Sequence, residues 1–216
     1  MIKSPHGTGN RNQESEIKKQ LLILSCLFAA AGCSNQLVSK DTDPRILIET
    51  DYGNIEAVLY ADKAPVTVTN FLRYIQQDRL GDAEFYRVVR LSPDNQPDNE
   101  VKIEVLQGGI FKEDHPDHLP PIEHETTEDT GIKHLDGMLS MARWGPGTAT
   151  IDFSICIGDQ PELDYKGRRN PDGWGFAAFG RVVDGMEVVG KIHRLPAKGQ
   201  YLEKHVPMRK VTVITK

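Results

Sequence analysis

The fold is decided by a junction between a β-rich run and a helix, which reads Leu59-Tyr60-Ala61-Asp62-Lys63-Ala64-Pro65. Proline suits the first position of a helix, because its fixed φ fits there and its missing N–H is not needed. Apolar residues then recur at i, i+3, i+4 and i+7, which predicts a helix with one buried face: Val68, Phe71, Leu72 and Ile75. The junction therefore predicts a strand, a turn and an amphipathic helix, in that order.

Further β-rich runs lie on both sides of this helix. Residues 45–50 and 55–60 flank a stretch of turn composition, which predicts a hairpin. A second short helix is predicted over residues 185–193. Additional strands are predicted at 85–89, 103–106, 138–141, 153–157, 176–182 and around Val211 and Val213. Many strands with two separated helices predict a mostly β fold, a closed antiparallel barrel capped by two helices.

The composition restricts the possible functions. The 216 residues suit one substantial domain with extensions, and 38% hydrophobic residues are enough for a sizeable core. A net charge of −5 without a basic stripe argues against a nucleic-acid partner. Of the three cysteines, Cys26 and Cys33 lie in an N-terminal apolar segment, so Cys156 is left without a disulfide partner in the body of the chain.

The N-terminal segment is typical of a bacterial export signal. Lys18 and Lys19 precede the apolar run 21–31, which is too short to span a bilayer, and the run ends in Ala30-Ala31-Gly32-Cys33. This ending resembles a lipobox, in which the cysteine is lipidated. The segment predicts a signal peptide at 1–32, lipidation of Cys33, a polar tether at 33–43 and a folded domain at 44–216. Cleavage without lipid, or a buried helix with an incidental cysteine, are the alternatives.

Several short motifs along the body resemble, in order, those of the cyclophilins, a family of peptidyl-prolyl cis-trans isomerases. They begin with the 59–65 junction and its following Asn70-Phe71. The others are Phe85-Tyr86-Arg87, Gln107-Gly108-Gly109, Leu139-Ser140-Met141-Ala142 with Gly145-Pro146, and Phe179-Gly180-Arg181-Val182 with Gly185-Met186. The resemblance implies a cyclophilin-like barrel over most of the chain.

The resemblance also implies a mechanism and a site. Rotation about a peptide bond is opposed by a barrier of about 18–20 kcal/mol, because the nitrogen lone pair conjugates with the carbonyl. An enzyme that favours the twisted state needs no nucleophile and no proton transfer. The resemblance assigns the donor for this state to Arg87 and a backbone-binding role to Gln107. It leaves a small substrate pocket formed by Val105, Ala142, Asp152, Leu163 and Phe176.

Several pocket positions depart from the family pattern. The family's two pocket phenylalanines fall on Glu104 and Ser154, and its pocket glutamine falls on Asp152. Arg143 and Phe176 replace an asparagine and the pocket histidine. Glu104 and Asp152 are expected to add negative charge near the site, where they would either pair with Arg87 or select basic substrates. Loss of the aromatic side chains leaves a second reading open, a peptide-binding or chaperone lipoprotein with weak or no catalysis.

Two insertions flank the expected site, at residues 91–100 and 165–174, and either they contact substrate or they are tolerated surface loops. His115, His118 and His124 are assigned to a polar loop that fixes no ligand geometry. No metal or other cofactor is expected, and no Ser/His/Asp arrangement is visible. The expected protein is a monomeric, lipid-anchored protein of the cell envelope that acts on proline-containing polypeptides and contacts the membrane only through its lipid. A purely structural envelope lipoprotein is a third reading.

Overall fold

The structure is a computed structural model that describes Met1 and residues 43–214. The predicted signal peptide, Cys33 and nearly all of the tether lie outside these residues. Ten antiparallel strands and three α-helices form the described body. The strands are β1 (Arg45–Thr50), β2 (Gly53–Leu59), β3 (Glu84–Val89), β4 (Val105–Gly109), β5 (Met138–Met141), β6 (Phe153–Cys156), β7 (Ala178–Asp184), β8 (Ala197–Lys198), β9 (Tyr201–Pro207) and β10 (Lys210–Ile214).

The helices are α1 (Pro65–Gln76), α2 (Thr127–Thr130) and α3 (Met186–His193). Short 3-10 helices lie at Pro93–Asn95 and Pro161–Leu163. The two predicted helices are confirmed as α1 and α3. Helix α2 is a single capped turn that follows the polar loop carrying His115, His118 and His124, and in it Thr126 and Asp129 cap each other's backbone N–H groups. No helix in the described part of the chain is long and apolar enough to cross a membrane.

One sheet holds all ten strands in the order β10-β1-β2-β7-β5-β6-β4-β3-β9-β8. The mostly β, antiparallel prediction is confirmed, but the hydrogen-bonded ladder is not a closed ring, because β10 and β8 lie at its two ends. Strands β9 and β10 are separated only by Met208 and Arg209, so one segment of chain pairs first with β3 and then with β1. The N–H of Met208 donates to Ala83 O at 2.8 Å, and that of Arg209 donates to Glu49 O at 2.8 Å. Chain continuity thus places the edge strand β10 close to β9, which is the neighbour of the other edge strand, β8.

The interior is filled by aromatic rings from the sheet and from α1. Phe71 of α1 lies 5.4 Å from Phe153 and 5.4 Å from Phe179, measured between ring centroids, and Phe85 lies 6.1 Å from Phe153. All four side chains are at most 2% exposed. Burial of this size contributes about 2–3 kcal/mol for each ring. Only half of the apolar face predicted for α1 is confirmed, because Val68 and Phe71 are buried whereas Leu72 and Ile75 are half-buried. The buried face is completed by Thr67, Asn70 and Tyr74. This face covers the interior of the curved sheet, which leaves the site on the opposite face of β3 and β4.

Strands β8 and β9 were not predicted from the sequence. Strand β9 carries Glu203, Lys204 and His205, and only Leu202 and Val206 of the strand are buried. A strand with so few apolar residues has a weak alternating pattern. The omission matters for function, because β9 lies beside the strand that carries Arg87.

Candidate active site

A single row of side chains crosses five neighbouring strands. Arg87 of β3 pairs with Tyr201 of β9 on one side and with Gln107 of β4 on the other. Gln107 pairs in turn with Ser154 of β6, and Ser154 pairs with Ser140 of β5. Residues paired across antiparallel strands project to the same face. All five line one cleft of about 740 Å³.

A β-bulge adds Tyr86 to this row. Phe85 pairs with Gly108 and Arg87 pairs with Gln107, so two steps along β3 match a single step along β4. The extra residue is Tyr86, and a bulge re-aims the side chains on either side of it. Phe85 consequently packs in the interior, while both Tyr86 and Arg87 line the cleft.

The cleft gathers every site residue that the sequence predicted for the folded body. The two predicted to act on the prolyl bond and the five predicted to bind substrate all line it: Arg87, Gln107, Val105, Ala142, Asp152, Leu163 and Phe176. The remaining predicted residue, Cys33, lies outside the described residues.

The guanidinium of Arg87 is held by two side-chain amides. Its Nη1 donates to Oε1 of Gln107 at 2.8 Å, and its Nε donates to Oε1 of Gln200 at 2.8 Å. Nη2 donates to the same Gln200 oxygen. An arginine has five N–H groups, so one on each terminal nitrogen remains for a substrate. Burial lowers the pKa of Arg87 from its ordinary value, although a guanidinium keeps its charge at neutral pH.

Gln107 connects Arg87 to a buried carboxyl group. Its Nε2 donates to the hydroxyl oxygen of Tyr86 at 2.8 Å, and that hydroxyl donates to Oδ1 of Asp152 at 3.1 Å. Burial raises the pKa of Asp152 from 3.8 to about 6, and the hydrogen bond from Tyr86 partly offsets this rise. Burial also raises the pKa of Tyr86. Gly109 permits the close packing here, because its φ is 144° and a Cβ at this position would overlap Asp152.

Neither of the two acidic residues expected near the site, Glu104 and Asp152, pairs with the guanidinium of Arg87. The carboxyl of Asp152 contacts Tyr86 instead, and the carboxyl of Glu104 lies 4.0 Å from Nδ1 of His193. Glu104 immediately precedes Val105, and successive residues of an extended chain point to opposite faces. Pairing of Arg87 with either group is therefore wrong, and Glu104 adds no carboxylate to the cleft wall.

The 165–174 insertion fastens one wall of the cleft. Both terminal nitrogens of Arg143 donate to the carboxylate of Asp172, at 2.7 and 3.0 Å, and its Nε donates to Gly175 O at 2.8 Å. The guanidinium carbon of Arg143 lies 5.0 Å from the ring centroid of Phe176. The Arg143 side chain is only 1% exposed, so this paired charge fixes the ring that lines the cleft.

The 91–100 insertion is anchored by two buried amide side chains. Asn95 accepts from the N–H of Arg90 at 2.7 Å and donates to Gly199 O at 2.9 Å. Gln96 donates to the carbonyls of Arg90 and Ile103, at 2.7 and 2.8 Å. Asn95 and Gln96 are 6% and 0% exposed. Asn95 and Gln96 therefore attach this segment to the body of the domain.

A Ser–His–Asp hydrogen-bond chain, which the sequence did not reveal, supports the end of the row. His134 contacts the hydroxyl of Ser140 through Nε2 at 2.8 Å and Oδ1 of Asp164 through Nδ1 at 2.8 Å. Burial alone would raise the pKa of Asp164, but hydrogen bonds and charge from His134 lower it overall. Ser140 is only 2% exposed in the middle of β5, so its hydroxyl is not open to attack a carbonyl. The chain of bonds instead satisfies buried polar groups beneath the cleft.

Aromatic rings that the sequence did not single out line the Arg87 side of the cleft. Phe111 lies 4.9 Å from Tyr86, 6.1 Å from Tyr201 and 5.1 Å from His205, between ring centroids. Phe111 and Tyr201 are each 50% exposed. These rings provide apolar surface at a place different from the phenylalanine positions that the chain lacks. Tyr201 belongs to the missed strand β9, and Phe111 follows the Gln-Gly-Gly landmark in a loop, so neither had a pattern that could reveal it.

His115, His118 and His124 lie in the polar loop that the sequence predicts. No group of three or more His, Cys, Asp or Glu side chains suited to a metal occurs among the residues that the structure describes. His115 contacts Asp82, whereas Nε2 of His124 contacts the carbonyl of Trp174. These two histidines are therefore engaged with different parts of the surface.

The antiparallel sheet, its covering helices and a cleft around an amide-held arginine define a β-fold protein with one elongated candidate site. Residues 45–215 match the family model described as cyclophilin type peptidyl-prolyl cis-trans isomerase/CLD. The chain belongs to this family.

Individual relatives agree with this assignment. The chain is 34% identical over 200 residues to peptidyl-prolyl cis-trans isomerase A of Dickeya dadantii, covering 91% of this chain and 96% of that protein. It is 32% identical to peptidyl-prolyl cis-trans isomerase B of Escherichia coli, covering 78% and 95% of the two chains. Among solved structures, a Cryptosporidium parvum cyclophilin type isomerase superposes with a TM-score of 0.60 at 18% identity, covering 81% and 99%. This structural match supports the fold.

Proposed function

We propose that this protein catalyses cis/trans isomerisation of peptide bonds that precede proline, with Arg87 as the catalytic residue. The observation that carries the proposal is the Arg87 guanidinium, which two amide oxygens hold at the edge of a cleft while two of its N–H groups remain free. Relatives that align over most of the chain are named peptidyl-prolyl cis-trans isomerases.

Arg87 would act by stabilising the twisted amide. Twisting removes the conjugation and returns a lone pair to the prolyl nitrogen, which can then accept a hydrogen bond from a fixed donor. The donors of Arg87 are already oriented by Gln107 and Gln200, so little reorganisation accompanies the reaction. The step forms no covalent bond to the protein and transfers no proton.

Gln107 and the apolar wall would bind the substrate. Gln107 uses one amide hydrogen on Tyr86 and has a second that could bond a substrate carbonyl. Val105, Ala142, Leu163 and Phe176 supply the apolar wall for the proline ring, and Asp152 lies beside them. One of the matched solved structures, with a TM-score of 0.57, is of a cyclophilin type isomerase in the presence of the dipeptide Ala-Pro. The dipeptide in that structure supports proline-containing chains as the substrate class.

A binding module without catalysis is the second candidate. Ser154 stands at one of the family's pocket phenylalanine positions, so the pocket has less aromatic surface for the proline ring. Magnetisation-exchange NMR on a proline-containing peptide separates the two candidates. Isomerisation faster than the uncatalysed tens to hundreds of seconds supports the enzyme. Chemical-shift changes at the cleft with no acceleration at saturating protein support the binding module.

We further propose that the protein is exported, anchored to the cell envelope by a lipid on Cys33 and monomeric, and that it assists folding of exported proteins. Support comes from the sequence features Lys18-Lys19, the apolar run 21–31 and Ala30-Ala31-Gly32-Cys33. Mass spectrometry of the membrane-purified protein should find a diacylglyceryl group on Cys33 as the first residue. An unmodified N-terminus at Ser34 or later would contradict the anchor.

A further inference from the structure

Three guanidinium groups line the cleft, and two of them, those of Arg87 and Arg169, are not paired with a carboxylate among the residues that the structure describes. Arg87 donates to Gln107 and Gln200, as described above. Arg169, from the 165–174 insertion, donates through Nη1 to Oε1 of Gln96 at 2.8 Å and to Val101 O at 2.7 Å. All of these acceptors are neutral. Within residues 43–214, no Asp or Glu forms an ion pair with either arginine.

Arg87 and Arg169 place two positive charges in the same cleft. Burial lowers the pKa of Arg169, and the positive charge of Arg87 lowers it further. Bringing two like charges into a partly dehydrated cleft is unfavourable, and an anion placed between them would relieve the repulsion. The cleft is therefore better suited electrostatically to an anionic ligand than to a neutral one.

Other charged groups of the cleft do not cancel this preference. Arg143 is neutralised by its two bonds to Asp172. Asp152 carries most of its negative charge at neutral pH, but it is hydrogen-bonded to Tyr86, and the side chain of Gln107 lies between Tyr86 and Arg87. Glu113 is exposed at the margin of the cleft, where water screens it.

Arg169 also has unused donors in a fixed position. The described hydrogen bonds of its side chain all come from Nη1, which leaves the N–H groups of Nε and Nη2 for a ligand. Gln96, which holds Arg169, is itself fully buried and bonded to two backbone carbonyls. Such a preoriented guanidinium fork matches the two oxygens of a carboxylate or a phosphate.

We propose that the cleft selects proline-containing chains that carry an anionic side chain close to the prolyl bond, and that Arg169 binds this side chain. The inference rests on the proposed function, since it assigns a substrate class to the same cleft. Its chemistry is shared by carboxylate side chains and by phosphorylated serine or threonine. The 91–100 and 165–174 insertions together then form a specificity element, because one supplies Arg169 and the other positions it.

The test compares four peptides that differ only beside the proline, where they carry glutamate, phosphoserine, glutamine or lysine. Isomerisation rates and peptide affinities are measured for the full chain, for Arg169→Gln and for Arg168→Gln. Arg168 is the matched control, because it lies in the same insertion but is exposed and paired with Glu162 at 2.9 Å. Trp144, which is 86% exposed and lines the cleft, provides a fluorescence signal for binding.

For the chain without substitutions, the isomerisation rate and the affinity should be about tenfold higher for the preferred anionic peptide than for the glutamine peptide. A tenfold ratio corresponds to one charge-assisted hydrogen bond. Arg169→Gln should abolish this ratio, whereas Arg168→Gln should retain it. The ratio of the anionic peptide to the glutamine peptide is calculated separately for each variant. A general loss of activity lowers both values and leaves the ratio unchanged. The relative rates of the glutamate and phosphoserine peptides identify which anion is preferred.

The two proposals fail in distinguishable ways. Rapid isomerisation with equal rates for all four peptides, or an anionic preference that Arg169→Gln leaves unchanged, would overturn the assignment of Arg169 and leave the enzyme intact. An anionic preference in binding that depends on Arg169, without any acceleration of isomerisation, would support the substrate class and overturn only the catalytic role.

Discussion

The backbone carbonyl of Asn95 accepts a 2.8 Å hydrogen bond from Nε2 of Gln200, whose Oε1 holds the guanidinium of Arg87. The 91–100 insertion thus fixes the residue that orients the proposed catalytic arginine. Asn95 is itself buried and bonded to Gly199 next to Gln200, so the two loops are joined at two points. A segment inserted beside the site has become part of its support.

Gln200→Ala should lower kcat about tenfold while KM stays nearly constant. The variant removes two hydrogen bonds to a charged group whose orientation matters mainly in the twisted state. Steady-state kinetics on a proline-containing peptide would measure both constants. Lys198→Ala, an exposed change in the same hairpin, is the control. Equal losses in the two variants would mean that Gln200 has no positioning role.

Asp152 should make the protein less stable as the pH rises from about 4 to about 6. Its pKa in the folded protein is about 6 against an ordinary value of 3.8, so the folded state binds more protons than the unfolded state in this range. The loss in the free energy of unfolding approaches roughly 3 kcal/mol above pH 6. Asp152→Asn should recover part of this loss above pH 6 and should give no gain below pH 4. Urea denaturation at pH 4 and pH 7.5 would measure this difference, with exposed Asp98→Asn as the control. A gain of the same size at both pH values would contradict the account.

His134→Ala should lower the free energy of unfolding by about 3 kcal/mol. The variant leaves the buried hydroxyl of Ser140 and the carboxyl of Asp164 without their shared partner, and it opens a cavity. His205→Ala offers a comparison, because His205 is half-buried and its Nδ1 contacts the carboxyl of Glu84 at 2.6 Å. Denaturant titration should find a clearly smaller loss for His205→Ala, and equal losses would rule out a special structural role for His134.

Phe176→Ala should raise KM by about tenfold and change kcat less. The ring forms part of the apolar wall proposed to hold proline, and its contribution is present in both the ground state and the twisted state. Trp174→Ala removes a nearby, half-exposed aromatic side chain that does not line the cleft. If the Trp174 variant raised KM as much as the Phe176 variant, the wall would have been assigned to the wrong side of the loop.

The centre of the site could be predicted because its residues lie in strands with local landmarks. Arg87 follows Phe85-Tyr86 and Gln107 precedes Gly108-Gly109, and antiparallel pairing then places the two side by side. Gln200 could not be predicted, since it is separated from Arg87 by 113 positions and lies in a hairpin turn. Arg169 contacts Gln96 over 73 positions between two insertions that have no periodicity. A contact between two loops depends on the folded path of both loop segments, and no local sequence pattern predicts that path.

The departures from the family pattern were visible in the sequence, but their consequences were not. Glu104 was expected near the site, although alternation from Val105 already placed it on the opposite face. Asp152 was correctly placed in the cleft, yet its partner proved to be Tyr86 rather than Arg87. The bulge at Tyr86 explains the second outcome, because it brings that hydroxyl between Gln107 and Asp152.

The most direct test of the account is the rate of prolyl isomerisation with and without Arg87. The full chain should accelerate exchange between the cis and trans forms of a proline-containing peptide, as measured by NMR. Arg87→Ala should reduce kcat/KM by about 100- to 1,000-fold, the loss typical of removing one fixed donor to a transition state. Circular dichroism should show that the variant remains folded. An unmodified chain that leaves exchange at the uncatalysed rate, or an Arg87→Ala variant as active as the unmodified chain, would contradict the account.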